Sequence, residues 1–188
     1  MRKRGALKPR RFLLIALAAI LLIAIFMGMR FYRHLNRIPF FEGGSISFSC
    51  SPLVVEKELG EPDSIKQSEQ NAISKELYYS NITIQGFPAE VSFRFINEKL
   101  NQFLIAVQIS DEHEARTFEQ NANHTIQNHA SPFQFLVTGN PISPVGREWC
   151  VYGIGLFSVY NNEWEAYHER GDNSVIPCII IEGELRRR

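Results

Sequence analysis

The sequence has few of the residue patterns that carry known chemistry. It contains three cysteines, Cys50, Cys150 and Cys178, and no C-x-x-C pair, which argues against zinc-ribbon and thioredoxin-type sites. Gly153 and Gly155 lie inside a strand-like pattern and not ahead of a helix, so they do not predict a phosphate-binding loop. No Gly-x-Ser-x-Gly nucleophile elbow is present. These absences favour a protein that is not an enzyme and binds no cofactor.

Acidic residues are absent from the first 41 positions, which carry nine Lys and Arg residues. Positions 42–188 therefore hold eleven basic residues and all twenty acidic ones, a net charge of −9. Because phosphate binding requires a positively charged surface, this acidic part argues against nucleic acid as a partner.

Residues 12–29 form an apolar run without a charged or strongly polar side chain. At about 1.5 Å per residue the run spans about 27 Å as a helix, close to the roughly 30 Å hydrocarbon core of a bilayer. It predicts a single transmembrane helix in contact with membrane lipid. Met29 and Arg30 follow it instead of a small-x-small cleavage site, which indicates an uncleaved signal anchor in the cell membrane.

Six basic residues precede the run and three follow it closely, so the positive-inside rule predicts that residues 1–11 are cytoplasmic. The same rule places the main domain outside the cytoplasm. Residues 30–45, with Pro39 and two adjacent glycines, are predicted to be a stalk. Residues 46–188 are then the extracytoplasmic domain.

The stretch "SPLVVEKELGEP" predicts a short helix over residues 52–59. Ser51 is a good N-cap, Pro52 suits the first helical position, and Gly60 followed by Pro62 ends the helix. A polar loop is predicted for residues 63–75.

Alternating apolar and polar residues then predict a three-stranded antiparallel meander with one wet face. The first strand covers residues 77–85, and turns are predicted at 86–88 and 97–99. The buried face is predicted to hold Val91, Phe93, Phe95, Phe103, Ile105, Val107 and Ile109.

A second unit of the same kind is predicted to follow. Apolar residues at spacings of three or four predict an amphipathic helix over residues 112–130. Residues 139–141 repeat the Gly-x-Pro of residues 60–62. Strands are predicted at 148–160, 163–168 and 175–184, with a turn at Asn161 and Asn162. The fold class is therefore α+β, an antiparallel sheet with helices on one face and a tandem helix-β-β-β repeat in halves 50–110 and 112–186.

The Leu-Gly-x-Pro helix end at residues 59–62, followed by "ELYY", "GFPAEVSFRF" and "NEKLNQFLIAV", carries a resemblance. It is similar to the domain of the small lipoprotein subunit of the outer-membrane barrel-assembly machinery and to the related β-lactamase-inhibitor-protein fold. The resemblance covers about residues 50–110, with an echo in 112–186. It implies helices packed on one sheet face, and a non-enzymatic envelope domain that binds other proteins.

Two groups of residues are candidates for function. Glu163, Trp164, Glu165 and Tyr167 combine acids with aromatic side chains and predict a binding surface, since Trp and Tyr are frequent interface anchors. The acids of residues 163–172 also leave open a carboxylate pair for hydrolysis. His113, His124 and His129 are spaced eleven and five apart, which does not favour a metal site.

The three cysteines allow two interpretations of their role. All three are small buried apolar residues, or Cys150 and Cys178 pair as a disulfide in an oxidising compartment.

Three functions follow from these features. The leading hypothesis is a single-pass membrane-anchored envelope protein whose non-catalytic domain binds or scaffolds an unknown protein partner. A membrane-anchored hydrolase using acids in 163–172 is the alternative from another class. An immunity-type inhibitor with an acidic surface directed at a basic toxin is the third.

Overall fold

A computed structural model of the chain describes residues 9–68, 74–109, 111–129, 137–143, 146–151, 155–165 and 175–185. The chain divides into two compact units, residues 1–36 and residues 37–188. The first unit contains helix α1, Pro9–Leu35. Within α1, residues Leu13–Leu35 are long and apolar enough to cross a membrane, and their most apolar window is entirely unburied. The helix runs six residues beyond the predicted span.

The described residues of the second unit form an α+β fold with two helices and one antiparallel sheet of eight strands. Helix α2 is Pro52–Leu59 and helix α3 is Glu112–His129. The strands are β1 Ser64–Ser68, β2 Ser74–Ile84, β3 Phe87–Ile96, β4 Lys99–Gln108, β5 Val137–Ser143, β6 Gly146–Val151, β7 Gly155–Glu165 and β8 Val175–Leu185.

The strand order is β1-β2-β3-β4-β8-β7-β6-β5. Each helix is therefore followed in the chain by a meander of four strands, and the two meanders meet where β4 pairs with β8. The repeat expected from the sequence is present with one more strand per copy than predicted.

Local sequence explains where α2 and the first meander begin and end. Pro52 occupies the start of α2, and Gly60, at φ +89°, ends it in a conformation that favours glycine. Two-residue turns with positive φ at both positions join β2 to β3 at Gln85-Gly86 and β3 to β4 at Asn97-Glu98. Such turns match the right-handed twist of the strands they connect. The predicted turn at 86–88 thus lies one residue earlier.

One face of the sheet packs against both helices and is the main core. Phe93 lies opposite Phe103, and Ile105 lies opposite Ile181, all of them buried. From α3, Phe118 packs edge-on against Phe87 with ring centroids 5.5 Å apart. Full burial of each large apolar side chain contributes roughly 1.5–3 kcal/mol. The predicted inward positions of β3 and β4 are confirmed. We call this the covered face.

The predicted stalk at residues 30–45 is wrong. The helix continues to Leu35, and residues from Arg37 onward belong to the second unit. Phe41 packs on Phe93 with centroids 5.4 Å apart, and Phe48 packs on Phe157 at 5.7 Å. The apolar side chains of residues 38–48 are buried on the covered face. The segment is therefore part of the domain core and not a solvated stalk.

The second meander differs from prediction at several places. The predicted strand 148–160 is divided between β6 and β7. The predicted turn at Asn161 and Asn162 is wrong, because both residues pair with β8 inside a continuous β7. The Gly-x-Pro at residues 139–141 lies within β5, and part of the predicted loop 63–75 forms β1.

Candidate binding surface on the sheet

The face of the sheet opposite α2 and α3 is the principal candidate site, and we call it the polar face. Strand alternation and the observed registers place one set of side chains on it. Its described members include Lys66, Glu76, Tyr78, Glu90, Ser92, Arg94, Gln102, Leu104, Ala106, Gln108, Glu148, Cys150, Leu156, Ser158, Cys178, Ile180, Glu182 and Glu184.

Carboxylates dominate the charge of the polar face. Five glutamates lie there together with two cations among the described members, Arg94 and, at the β1 edge, Lys66. Two of the carboxylates are fixed by neighbours. The Tyr78 hydroxyl donates to Glu90 Oε2 over 2.6 Å, and the Gln102 side-chain amide donates to Glu182 Oε1 over 2.6 Å. Hydrogen bonds to a charged acceptor are stronger than neutral ones, so they hold the acidic groups in place at the surface.

The centre of the polar face is apolar. Ala106, Cys178 and Ile180 form a buried cluster, and the partly buried Leu104 packs against it. Ala106 lies directly opposite Ile180 across the β4–β8 pair. The face that was predicted to be exposed to solvent is therefore exposed at its margins and buried where the two meanders join. An apolar centre within a polar rim is also the usual composition of a protein interface.

Strand β1 forms one edge of the sheet. Its five residues are all exposed, and β2 is its neighbour in the sheet. A shallow cavity of about 150 Å³ opens beside it, lined by Lys66, Lys75, Glu76 and Arg94 among others. The Lys75 ammonium is held 3.4 Å from a carboxylate oxygen of Glu56 on α2. This edge thus has a basic lining in an otherwise acidic domain.

A polar contact joins α3 to the covered face. Trp149 on β6 donates its indole N–H to Asn123 Oδ1 over 2.7 Å, and the Asn123 amide donates to the Glu119 carbonyl over 2.9 Å. The Arg147 guanidinium lies 5.4 Å from the centroid of the Trp149 ring. Burial raises the pKa of the Glu119 carboxyl, and Arg147 partly opposes that rise.

Opposite Trp149, Gly139 on β5 leaves room for the indole, since a Cβ there would lie 2.6 Å from Cζ3 of the ring. Sequence patterns alone predict no role for Asn123. Its hydrogen bond with Trp149 assigns it to helix–sheet packing, and its bond to the Glu119 carbonyl lies within α3.

The predicted binding residues lie at the end of β7. Glu163, Trp164 and Glu165 pair with Pro177, Ile176 and Val175 of β8. Tyr167 and the acids at 169 and 172 lie outside the described residues. The predicted surface at 163–167, and the hydrolase built on acids in 163–172, both stay predictions.

The structure contains no disulfide between Cys150 and Cys178. Cys150 is on β6 and Cys178 is on β8, with β7 between them. Cys150 shares a row with Leu156 and Glu184, and Cys178 lies six residues further along β8. At about 3.3 Å per residue this offset alone is about 20 Å, far beyond the Cα distance that a disulfide allows. The interpretation of all three as small buried residues holds for Cys178, whereas Cys50 and Cys150 are partly exposed. At Cys50, burial is the main cause that raises the pKa of the thiol, and Glu58 reinforces it.

The helix-face histidines are not gathered into a cluster. His113 is exposed near the start of α3, and His124 lies within 3.0 Å of the Asn128 amide one turn away. Over the ranges that the structure describes, no group of three or more His, Cys, Asp or Glu side chains is arranged to hold a metal ion.

Comparison with known proteins places the chain in no family. No family model matches it, and no curated protein matches it. It is similar to a solved extracellular protein containing a SCP domain from Bacillus anthracis str. Ames, at 10% identity and a TM-score of 0.33. That similarity covers 73% of this chain and 43% of the other. The resemblance to the barrel-assembly lipoprotein and inhibitor-protein domains stays a prediction.

Proposed function

We propose that this chain is a single-pass membrane protein whose second unit is a non-catalytic binding domain on the outer side of the membrane. The length and apolar surface of α1 support the anchor. The excess of basic residues before it supports the orientation. Because the second unit follows α1 directly in the chain, insertion of α1 would confine that unit to the membrane surface.

The polar face is the proposed docking surface, and the partner is a protein with a basic patch. The observation that carries this proposal is the arrangement of the face, where five glutamates surround the apolar centre of Leu104, Ala106, Cys178 and Ile180. Acidic groups steer a basic partner and fix its orientation, while an apolar centre supplies most of the binding energy. Scaffolding and inhibition of a basic toxin both use such a surface, and the identity of the captured protein distinguishes them.

Photo-crosslinking in cells tests this proposal. A photoreactive amino acid replaces Ser92, at the middle of the polar face, in the full chain expressed in its own host. The matched control replaces Gln120, an exposed residue of α3 on the other side of the sheet. We expect a discrete crosslinked protein from position 92, absent from position 120.

Charge reversal supplies the second arm of the test. Glu90→Lys and Glu182→Lys together are expected to abolish the crosslink from position 92, because they change the sign of the face beside it. Glu98→Lys, in the exposed β3–β4 turn, makes the same kind of change away from the face and should leave the crosslink intact. Equal crosslinking from both positions, or insensitivity to the charge reversal, would overturn the proposal.

A further inference from the structure

Strand β1 has the properties of a docking edge. It stands at one end of the strand order, and the structure describes β2 as its neighbour in the sheet. The backbone groups on the outer side of an edge strand are available for pairing with another chain. The five residues of β1, all exposed, include no proline and pair with β2 without a bulge.

Apolar surface is also left uncovered along this edge. Ile65 of β1 lies opposite the fully buried Leu77, so it continues the core row of the covered face outward to the edge. Its side chain is nevertheless 54% exposed. Leu53 on the neighbouring helix α2 is 73% exposed. Among described residues of the second unit, these two are the large apolar side chains that remain exposed.

The other face of the same edge is basic. Lys66 lies opposite Glu76, which lies opposite Arg94, and these three residues line the shallow cavity together with Lys75. Lys66 and Arg94, against the carboxylate of Glu76, give this face an excess of positive charge, while Lys75 has the parity of the covered face and is paired with Glu56. The surrounding domain has the opposite sign, with eleven basic and twenty acidic residues over positions 42–188.

We infer that β1 binds an extended segment of a partner protein in which acidic and apolar residues alternate, added to the sheet as a further strand. Successive residues of a strand face opposite sides of the sheet. An apolar side chain of the added segment would cover Ile65, and its neighbour would bring a carboxylate to Lys66 and Arg94. Main-chain hydrogen bonds to β1 would supply affinity, and the alternation would supply specificity.

A second copy of this chain fits the edge less well. In a symmetric antiparallel pairing of two β1 strands centred on Lys66, the two Lys66 side chains would lie directly opposite each other. Like charges placed so are destabilising. The charge of β1 therefore favours a different, acidic partner over self-association. The inference goes beyond the proposed function, since it uses the exposed backbone of the β1 edge and shares only the margin of the polar face at Glu76 and Arg94.

Peptide binding to the full chain in detergent tests the inference. The probe is a fluorescent peptide of about six residues, the usual length of a strand, in which Glu and Val alternate. One control peptide replaces Glu by Lys, and another keeps the sequence but carries N-methyl groups on alternate amides. Fluorescence anisotropy should show binding of the Glu peptide, with affinity reduced about tenfold or more for either control, because each loses charge pairing or backbone hydrogen bonds.

Variants locate the site. Lys66→Glu should weaken binding of the Glu peptide about tenfold and create binding of the Lys peptide, by reversing the charge opposite the added strand. Lys99→Glu makes the same change of charge at the exposed first residue of β4 and should leave both affinities unchanged.

Three outcomes would overturn the inference. The first is unchanged affinity in Lys66→Glu, and the second is equal binding of the N-methylated peptide. The third is a dimer of the full chain that Lys66→Glu disrupts, which would identify the edge as a contact between copies. The crosslink from position 92 is read separately, so failure here leaves the test of the polar face intact.

Discussion

Trp149 donates its indole N–H to the side chain of Asn123 over 2.7 Å, and this bond connects β6 to α3. Trp149 is only 5% exposed, so no solvent would replace the acceptor if it were removed. A buried donor left without a partner costs about 1–3 kcal/mol.

We therefore expect Asn123→Ala to lower the free energy of unfolding by about 1–3 kcal/mol. Urea denaturation of the full chain in detergent, followed by circular dichroism, measures the change. Asn121→Ala, at an exposed position of the same helix, is the matched control and should shift stability by less than about 0.5 kcal/mol. A loss of equal size in both variants would assign the effect to the helix alone.

The contact between Gly183 and Phe103 gives a second prediction. Gly183 lies opposite Phe103, and a Cβ at position 183 would overlap the Phe103 ring. Gly183→Ala should therefore destabilise the fold by about 1–3 kcal/mol, the usual cost of overpacking a core.

A compensating change tests the cause of that loss. Phe103→Leu removes part of the ring that the new methyl group would strike, so the double variant should be more stable than the sum of the two single losses predicts. Additive losses would show that the overlap is not responsible.

The ionisation of the Asp63 carboxyl makes the stability of the fold depend on pH in the acid range. The backbone N–H and hydroxyl of Ser80 donate to its carboxylate over 2.6 and 2.8 Å, and these bonds lower the pKa of Asp63. A lowered pKa means that the stabilisation is complete above the unfolded value of about 3.9 and is lost as pH falls through the folded value.

The urea midpoint of the wild type should fall as the pH is lowered into the acid range, and Asp63→Asn should make this decrease smaller. Glu98→Gln, in the exposed β3–β4 turn, removes a carboxylate elsewhere and should leave that decrease unchanged. An unchanged decrease in Asp63→Asn would contradict the assignment.

The ionisation of Tyr79 makes the stability of the fold depend on pH in the alkaline range. Burial, reinforced by the carboxylates of Glu56 and Asp63, raises the pKa of Tyr79 to about 12. Because the raised pKa belongs to the folded state, the stabilisation is complete below the unfolded value of about 10 and is lost as pH rises toward 12.

Absorbance of tyrosinate should show one phenol that ionises late in the wild type and is missing in Tyr79→Phe. Tyr78→Phe removes the neighbouring phenol on the polar face and should retain the late ionisation. Loss of the late phenol in Tyr78→Phe instead would contradict the assignment to Tyr79.

Helix α1 gives a prediction about membrane insertion. Leu21 lies near the middle of the apolar helix and is 60% exposed in the isolated chain. An arginine at the centre of a membrane span costs about 3 kcal/mol. Leu21→Arg should therefore move part of the full chain into the alkaline-extractable fraction. Leu53→Arg, an equal change at an exposed position of α2, should leave the chain in the membrane fraction.

The sequence was most informative where structure is locally determined. Helix α2 follows from Pro52 and Gly60, and the inward residues of β3 and β4 follow from their alternation. Strands β1 and β5 left no such signal. Strand β1 contains one apolar residue, Ile65, and β5 contains Gly139 and Pro141. Both are edge strands, and pairing with the adjacent strand stabilises them more than their own composition does.

The candidate site was less accessible from sequence for the same physical reason. Alternation predicted which side chains of β3 and β4 avoid the core. Alternation could not show that β8 lies beside β4. For that reason it could not predict the hydrogen bond between Gln102 and Glu182 or the packing of Ala106 against Ile180. The predicted patch at 163–167 rested on composition alone. Long-range strand order, not residue type, assembled the polar face.

The meeting of β4 with β8 also bears on how the chain folds. Gln102 and Glu182 are bonded across this seam yet stand 80 positions apart. Within each meander the paired strands are neighbours in the chain, whereas the seam joins strands that are far apart in the chain, and closure of so long a loop is slow. The seam is thus the expected rate-limiting step, and until it closes both central strands are exposed edges at which newly made copies are most prone to aggregate.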